Sequence, residues 1–270
     1  MTSWQNAIKY LALALAIVLI VSIVGGILRL LGLFSLLGER EDGVEEEMTS
    51  YAISSQPDEL IIDLPAAYVQ IVKGETLAVE SNLKYLKVKE TNGKLTLTEK
   101  DGWGVRYENP VLILHLPEAY AFREVEISTG AGKLTVEQLA TDTLEMSLGA
   151  GDVLLQNLSV ADEAQIDGGA GRITLEGGRL RDLHLNMGVG ELTLTAALEG
   201  SCEFDMGMGK STLHLLGGAD AYCLDIEKGI GSVTVDGQDM ATGQRIGNGP
   251  HTVDIDGGVG SIVVTRSEES

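Results

Sequence analysis

Aromatic side chains are scarce, at 4% of 270 residues, so the core has to be filled with aliphatic groups. Cysteine occurs twice, at Cys202 and Cys223, too few for a disulfide-rich scaffold and unable alone to complete a zinc site. Histidine is limited to positions 115, 184, 214 and 251, which fall in different registers of the repeat described below and so do not converge on a metal or a catalytic triad. Basic charge is in deficit. Nineteen Lys and Arg face forty Asp and Glu, a formal net charge of −21. Lys9 and Arg29 are the only charged residues before Glu39, so the remainder carries 17 bases against 40 acids, or −23. Nucleic acid is excluded as a partner, and anionic lipid or polyanionic wall polymer is repelled unless divalent cations bridge the two.

What is abundant is glycine, 34 residues, on a chain that is 44% apolar. That combination describes a folded protein whose backbone bends often, as short stacked strands do.

One apolar run stands apart. Tyr10–Leu28 holds 19 uncharged residues, about 28 Å as a helix, and predicts a single transmembrane span. Its length and the lack of a nearby A-x-A site set it against a cleaved signal peptide. Arg29 and a second apolar run, Leu30–Leu37, follow. Lys9 and the terminal amine on one side face Arg29 and Arg40 on the other, so charge leaves the orientation open. The predicted organisation is an anchor over 1–38, an acidic linker over 39–57, irregular β capping turns over 58–120, a regular solenoid over 121–266 and a polar tail over 267–270.

The solenoid is predicted from a G-x-G motif in seven copies, with first glycines at positions 130, 149, 169, 188, 207, 229 and 258. The spacing is near 20 residues until two later insertions, the longer of them in Gly237–Pro250. Three residues before each motif stands an apolar side chain, from Ile127 and Met146 to Phe204 and Ile255. The next position is polar in every copy: Ser128, Ser147, Asp167, Asn186, Asp205, Glu227 and Asp256. The residue between the glycines is apolar again and extends the alternation expected of a strand. A second strand follows with two apolar columns, broken only by Ser211, around a threonine column. The inward parity does not carry across the motif, so the glycines mark a corner.

The residue after each motif reads Lys133, Asp152, Arg172, Glu191 and Lys210 before it becomes serine. Alternating sign at one position per coil predicts parallel, in-register stacking at about 4.8 Å. The fold class is therefore all-β, a single-stranded parallel β-helix or β-solenoid with coils of about 20 residues, preceded by one N-terminal transmembrane helix.

These features resemble the bacterial putative-adhesin β-solenoid domain family of membrane-anchored envelope proteins. The resemblance rests on YVQIVKGETLAVES, VEISTGAGKLTVEQL, GAGDVLLQNL, GAGRITLEGG and GVGELTLTA, and it covers residues 58–266. It implies an extracytoplasmic domain concerned with adhesion or envelope sensing, and it brings no catalytic residues.

Chemistry is thin elsewhere. GMGKST, Gly207–Thr212, looks like the tail of a phosphate-binding loop but has Phe204 where that loop needs glycine. Asp167, Asp205, Glu227 and Asp256 form a line of carboxylates that suits calcium in principle, yet Asn186 interrupts it and no calcium repeat is present, so it is taken as a solvated face. Cys202 and Cys223 fall on consecutive motif repeats, which leaves a disulfide and two buried thiols both open. The expected function is a noncatalytic, membrane-anchored binding module of the cell envelope, single-pass, with an unidentified envelope protein or glycan as partner. No catalytic residue, cofactor or metal is assigned. The alternatives are a polysaccharide-active β-helix enzyme, disfavoured by scattered histidines and few aromatics, and a self-associating scaffold, disfavoured by the capping region and net charge.

Overall fold

A computed structural model describes residues 47–99 and 108–268. The apolar run Tyr10–Leu28 and residues 39–46 of the acidic linker lie outside the described residues, while the rest of the linker carries a short strand, Thr49–Ala52, where an unstructured spacer is expected. Among those described, no helix is long and apolar enough to cross a membrane.

Fourteen strands follow one another: β1 (Thr49–Ala52), β2 (Glu59–Lys73), β3 (Ala78–Ser81), β4 (Lys87–Thr91), β5 (Lys94–Thr98), β6 (Val111–Leu116), β7 (Ala121–Val136), β8 (Leu139–Arg181), β9 (Leu183–Glu199), β10 (Ser201–Leu216), β11 (Tyr222–Val235), β12 (Gln238–Asp239), β13 (Gln244–Ile246) and β14 (His251–Ser267). The long strands β2, β7, β8, β9, β10, β11 and β14 are coils of one stack, β8 supplying two turns, and the pairings between them are parallel and in register apart from one irregularity between Glu176 and Arg179, where β8 meets β9. The sheet is open rather than closed. This is the all-β solenoid that the repeat predicts.

The core is the inside of the coil. The columns flanking the corner are buried throughout, Ile127, Met146, Ile166, Leu185, Phe204, Ile255 and Ile226 on one wall and Val136, Leu155, Leu175, Leu194, Leu213, Val264 and Val235 on the other. Burying each aliphatic side chain is worth about 1.5–3 kcal/mol, so a core with hardly any aromatic rings is sufficient when it is repeated eight times. Ser211, the exception in its column, is also buried and its hydroxyl donates to the Met206 sulfur at 3.0 Å.

The glycines are explained by stacking. A Cβ placed on the first glycine of a motif would meet the carbonyl oxygen of the equivalent residue one coil back, as Gly149 does with Gly130 and Gly207 with Gly188. The second glycine makes the same encounter and also adopts a φ between +139° and +158°, closed to L side chains.

Three features depart from the sequence expectation. First, the residue between the glycines does not continue the inward alternation. Val189, Met208 and Val259 are 46–50% exposed and Ile230 is 69% exposed, because the chain juts outward over the four corner residues before Leu134 and its equivalents turn back in.

Second, the regular stack starts earlier than its glycines. Within the segment read as irregular capping turns, β2 is a full coil that pairs with β7 from Glu59↔Glu124 to Ile71↔Val136. Its corner is Pro65-Ala66-Ala67. On its other side β5 pairs with residues 59–63 and β6 with residues 68–73, so among the described residues no strand pairs against that corner, and side chains fit where later coils need glycine. The antiparallel strands β4, β3 and β1 cover what lies beyond.

Third, the last coils stack out of chain order. β14 lies between β10 and β11, pairing Phe204↔Ile255 on one side and Ile226↔Ile255 on the other. The insertion Gly237–Pro250 permits this: β12 and β13 turn back antiparallel along β11, cover its outer edge, and return the chain to the slot beside β10.

Candidate functional site

Beside the glycine corner the strand face and the jutting corner enclose an open groove parallel to the solenoid axis. It crosses seven coils, from β2 to β14, and encloses about 1010 Å³. At one strand spacing per coil its length is about 29 Å. One wall is the polar column, Asp63, Ser128, Ser147, Asp167, Asn186, Asp205 and Asp256; the floor is the first glycine of each motif with the side chains that precede it, among them Leu148, Met187 and Met206. Among the described residues the lining contains four aspartates and no Lys, Arg or aromatic ring.

The carboxylate line seen in the sequence is part of this wall, and the stacking order sharpens it. Asp205 pairs with Asp256 and Asp256 with Glu227, while two residues earlier Glu203 pairs with Asp254 and Asp254 with Asp225. Six carboxylates thus form two columns over three adjacent coils. Glu203, Asp205 and Asp256 bring oxygens within 4.8 Å of one another, all three exposed. Three carboxylates fall short of the roughly six to eight oxygen ligands that calcium takes. Asp254, in the middle, has its pKa raised by burial and by Asp225, Glu203 and Asp256. Further along the wall Asn186 does not simply interrupt the line, since its side-chain amide donates to Asp167 at 2.7 Å.

The opposite flank of the corner behaves differently. There Arg172 reaches Asp152 at 3.5 Å and Glu191 at 3.2 Å, so the alternating ladder forms ion pairs at its centre, and Lys133 lies over the Tyr68 ring. Gly207–Thr212 is an ordinary stretch of β10 through its corner.

The histidines remain apart. His115 faces Glu80 at 3.7 Å, His184 pairs with Glu203 at 3.3 Å, His214 meets the Thr265 hydroxyl, and His251 Nδ1 accepts from the Gly200 amide at 3.0 Å. The cysteines are both buried and unbridged. β14 separates them: Cys202 pairs with Val253 and Cys223 with Thr252, two strand spacings or about 9.6 Å apart, beyond the reach of a disulfide. Burial pushes the Cys202 thiol up to about 11, and Arg245 Nε donates to Cys223 Sγ at 2.9 Å.

The groove and the displaced β14 were not legible in the sequence. The groove follows from the outward jut of the corner, which periodicity reads as one more inward position, and the order of coils is a long-range choice between two similar templates.

Several solved structures are similar over most of their length. A putative adhesin from Parabacteroides distasonis is 14% identical, over 84% of this chain and 98% of its own, with a TM-score of 0.45. A putative adhesin from Bacteroides fragilis is 12% identical over 81% and 96%, TM-score 0.39, and a putative lipid binding protein from Parabacteroides distasonis is 14% identical over 85% and 100%, TM-score 0.32. No curated protein matches the chain. The sequence model of the Toastrack DUF4097 family matches residues 45–263, most of the chain and nearly the whole solenoid; the protein belongs to that family.

Proposed function

We propose that the protein is a noncatalytic binding module of the cell envelope, tethered to the membrane by the apolar run Tyr10–Leu28 and presenting its solenoid outside the cytoplasm, with the axial groove as its binding surface. The observation that carries this reading is the groove itself, continuous over seven coils with a polar column along one wall. A long, open surface of this kind suits an extended partner better than a small substrate, which is usually enclosed. The polar wall also runs against stability. Carboxylates stacked at one strand spacing repel each other, in contrast to the alternating ladder on the other flank, and departures from such local rules gather at functional sites.

Topology tests the envelope assignment. Both native cysteines are buried, so a membrane-impermeant maleimide reports on an introduced thiol alone. Ala150→Cys places one on the exposed corner. Labelling in intact cells equal to that in lysed cells is the expected outcome. Labelling only after lysis would place the solenoid in the cytoplasm and overturn the proposal.

A further inference from the structure

We propose that the groove takes an extended cationic polypeptide segment, whose basic side chains meet the aspartate wall and whose backbone lies along the glycine floor. The inference rests on the groove being the binding surface and adds the class of partner. Three observations lead to it.

The first is sign. Asp63, Asp167, Asp205 and Asp256 line the groove with no Lys or Arg among the described residues, although the flank beyond the corner mixes both signs. At one end Asp205 and Asp256 join the columns of Glu203, Asp254, Asp225 and Glu227. The polar wall is therefore acidic at four of its seven coils and neutral at the other three, with the charge densest at that end, and it favours a cationic partner over an anionic one.

The second is shape. A groove of about 29 Å holds about nine residues of extended chain at about 3.3 Å each. Its floor has glycine at every corner except that of β2, where Pro65 stands, so over six of the seven coils a partner backbone approaches without meeting a side chain there. Leu148, Met187 and Met206 lie almost wholly buried beneath the floor and leave it apolar between the glycines.

The third separates peptide from glycan. Sugars are commonly held against aromatic faces, and no aromatic ring among the described residues lines this groove. Acidic glycans are further disfavoured by charge.

The test uses the purified full chain in detergent and a fluorescent ten-residue peptide alternating lysine with alanine, read by anisotropy. The same peptide with glutamate for lysine is the charge control, and a neutral N-acetylhexosamine oligomer is the glycan control. Two triple variants carry the same change in net charge. One alters the groove (Asp167→Asn, Asp205→Asn, Asp256→Asn) and the other the far flank (Asp152→Asn, Glu176→Gln, Glu191→Gln).

The proposal expects binding of the lysine peptide alone, weakened about tenfold or more by the groove triple and by less than about twofold by the flank triple. Affinity should fall as sodium chloride rises. Equal loss in both triples means attraction by net charge without a site, and overturns the proposal, as does binding unchanged in the groove triple. Binding of the neutral oligomer in place of the peptide also overturns it, while leaving the groove as a binding surface. Peptide binding by the purified chain does not depend on which side of the membrane the solenoid occupies, so this measurement and the maleimide measurement fail independently.

Discussion

At Gly151 two constraints coincide: a φ of +146° and a Cβ position that falls on the Gly132 carbonyl. Neither can relax without moving the neighbouring coil, because the obstructing atom is backbone engaged in the ladder. Gly151→Ala should therefore cost at least about 3 kcal/mol, near the upper end for a single substitution. Ala67 holds the equivalent place in β2, with no strand among the described residues paired against it on the outer side, and Ala67→Gly should change stability by about 1 kcal/mol or less. Urea denaturation of the two variants side by side checks the contrast; equal losses would mean that stacking is not what demands the glycine.

Asp254 illustrates the opposite kind of cost. Its pKa is raised by burial and by the carboxylates of Asp225, Glu203 and Asp256. A carboxyl whose folded pKa lies above its unfolded value binds its proton more tightly in the native state. Its relative contribution is thus most favourable below the unfolded pKa and is lost as pH rises through the folded value. At neutral pH the charged form is a net strain. Asp254→Asn should raise the melting temperature at pH 7, and the advantage should shrink as the pH is lowered into the carboxylate range and the wild-type residue takes up its proton. A variant less stable than wild type at pH 7 would show that ionised Asp254 is instead held by favourable partners.

At the scale of elements, β14 is held by two neighbours where a terminal coil would have one. It offers β10 and β11 a parallel ladder on both edges, so its removal would unseat more than itself. Deletion of residues 251–267 should leave β11, β12 and β13 without their attachment to the stack. Trypsin should then cut at Lys228 and Arg245 much faster than in the intact protein, while cleavage at Arg172 in the middle of the stack changes little. Were coils stacked in chain order, the same deletion would merely expose β11 and leave it protected.

That contrast also marks what could be learned from sequence. The columns around G-x-G gave the coils, their inward faces and their register, since each is a local, repeated demand of backbone geometry. The coil β2 escaped because its corner needs no glycine, so Pro65-Ala66-Ala67 carries no signal although Leu60, Ile62, Val69 and Ile71 are as deeply buried as any other core residues. The order β10-β14-β11 escaped because the two later coils present nearly the same columns to β10. Only the length of the Gly237–Pro250 insertion hints that the chain travels before returning.

For the molecule as a whole, one rule is applied twice with opposite results. The charged column past the corner alternates in sign and is paired at its centre by Arg172, whereas the columns before the corner accumulate carboxylates at the β10-β14-β11 end. Screening should therefore stabilise the second flank and slightly weaken the first. Such an axis, neutralised on one side and uncompensated on the other, gives the solenoid two electrostatically distinct flanks without any change in backbone.

The interleaved coil also bears on how the protein is made. Chains emerge from the ribosome at about 5–20 residues per second, N-terminal part first, so coils β2 to β10 can stack as they appear, each on a finished edge. β11 emerges next and has to wait, because its proper neighbour does not yet exist. Until His251–Ser267 has been synthesised, the open edge of β10 faces a resembling but wrong partner. The stack is thus completed by a late insertion rather than by steady winding, and a nascent chain stalled in this interval would carry an unsatisfied edge for chaperones or proteases to recognise.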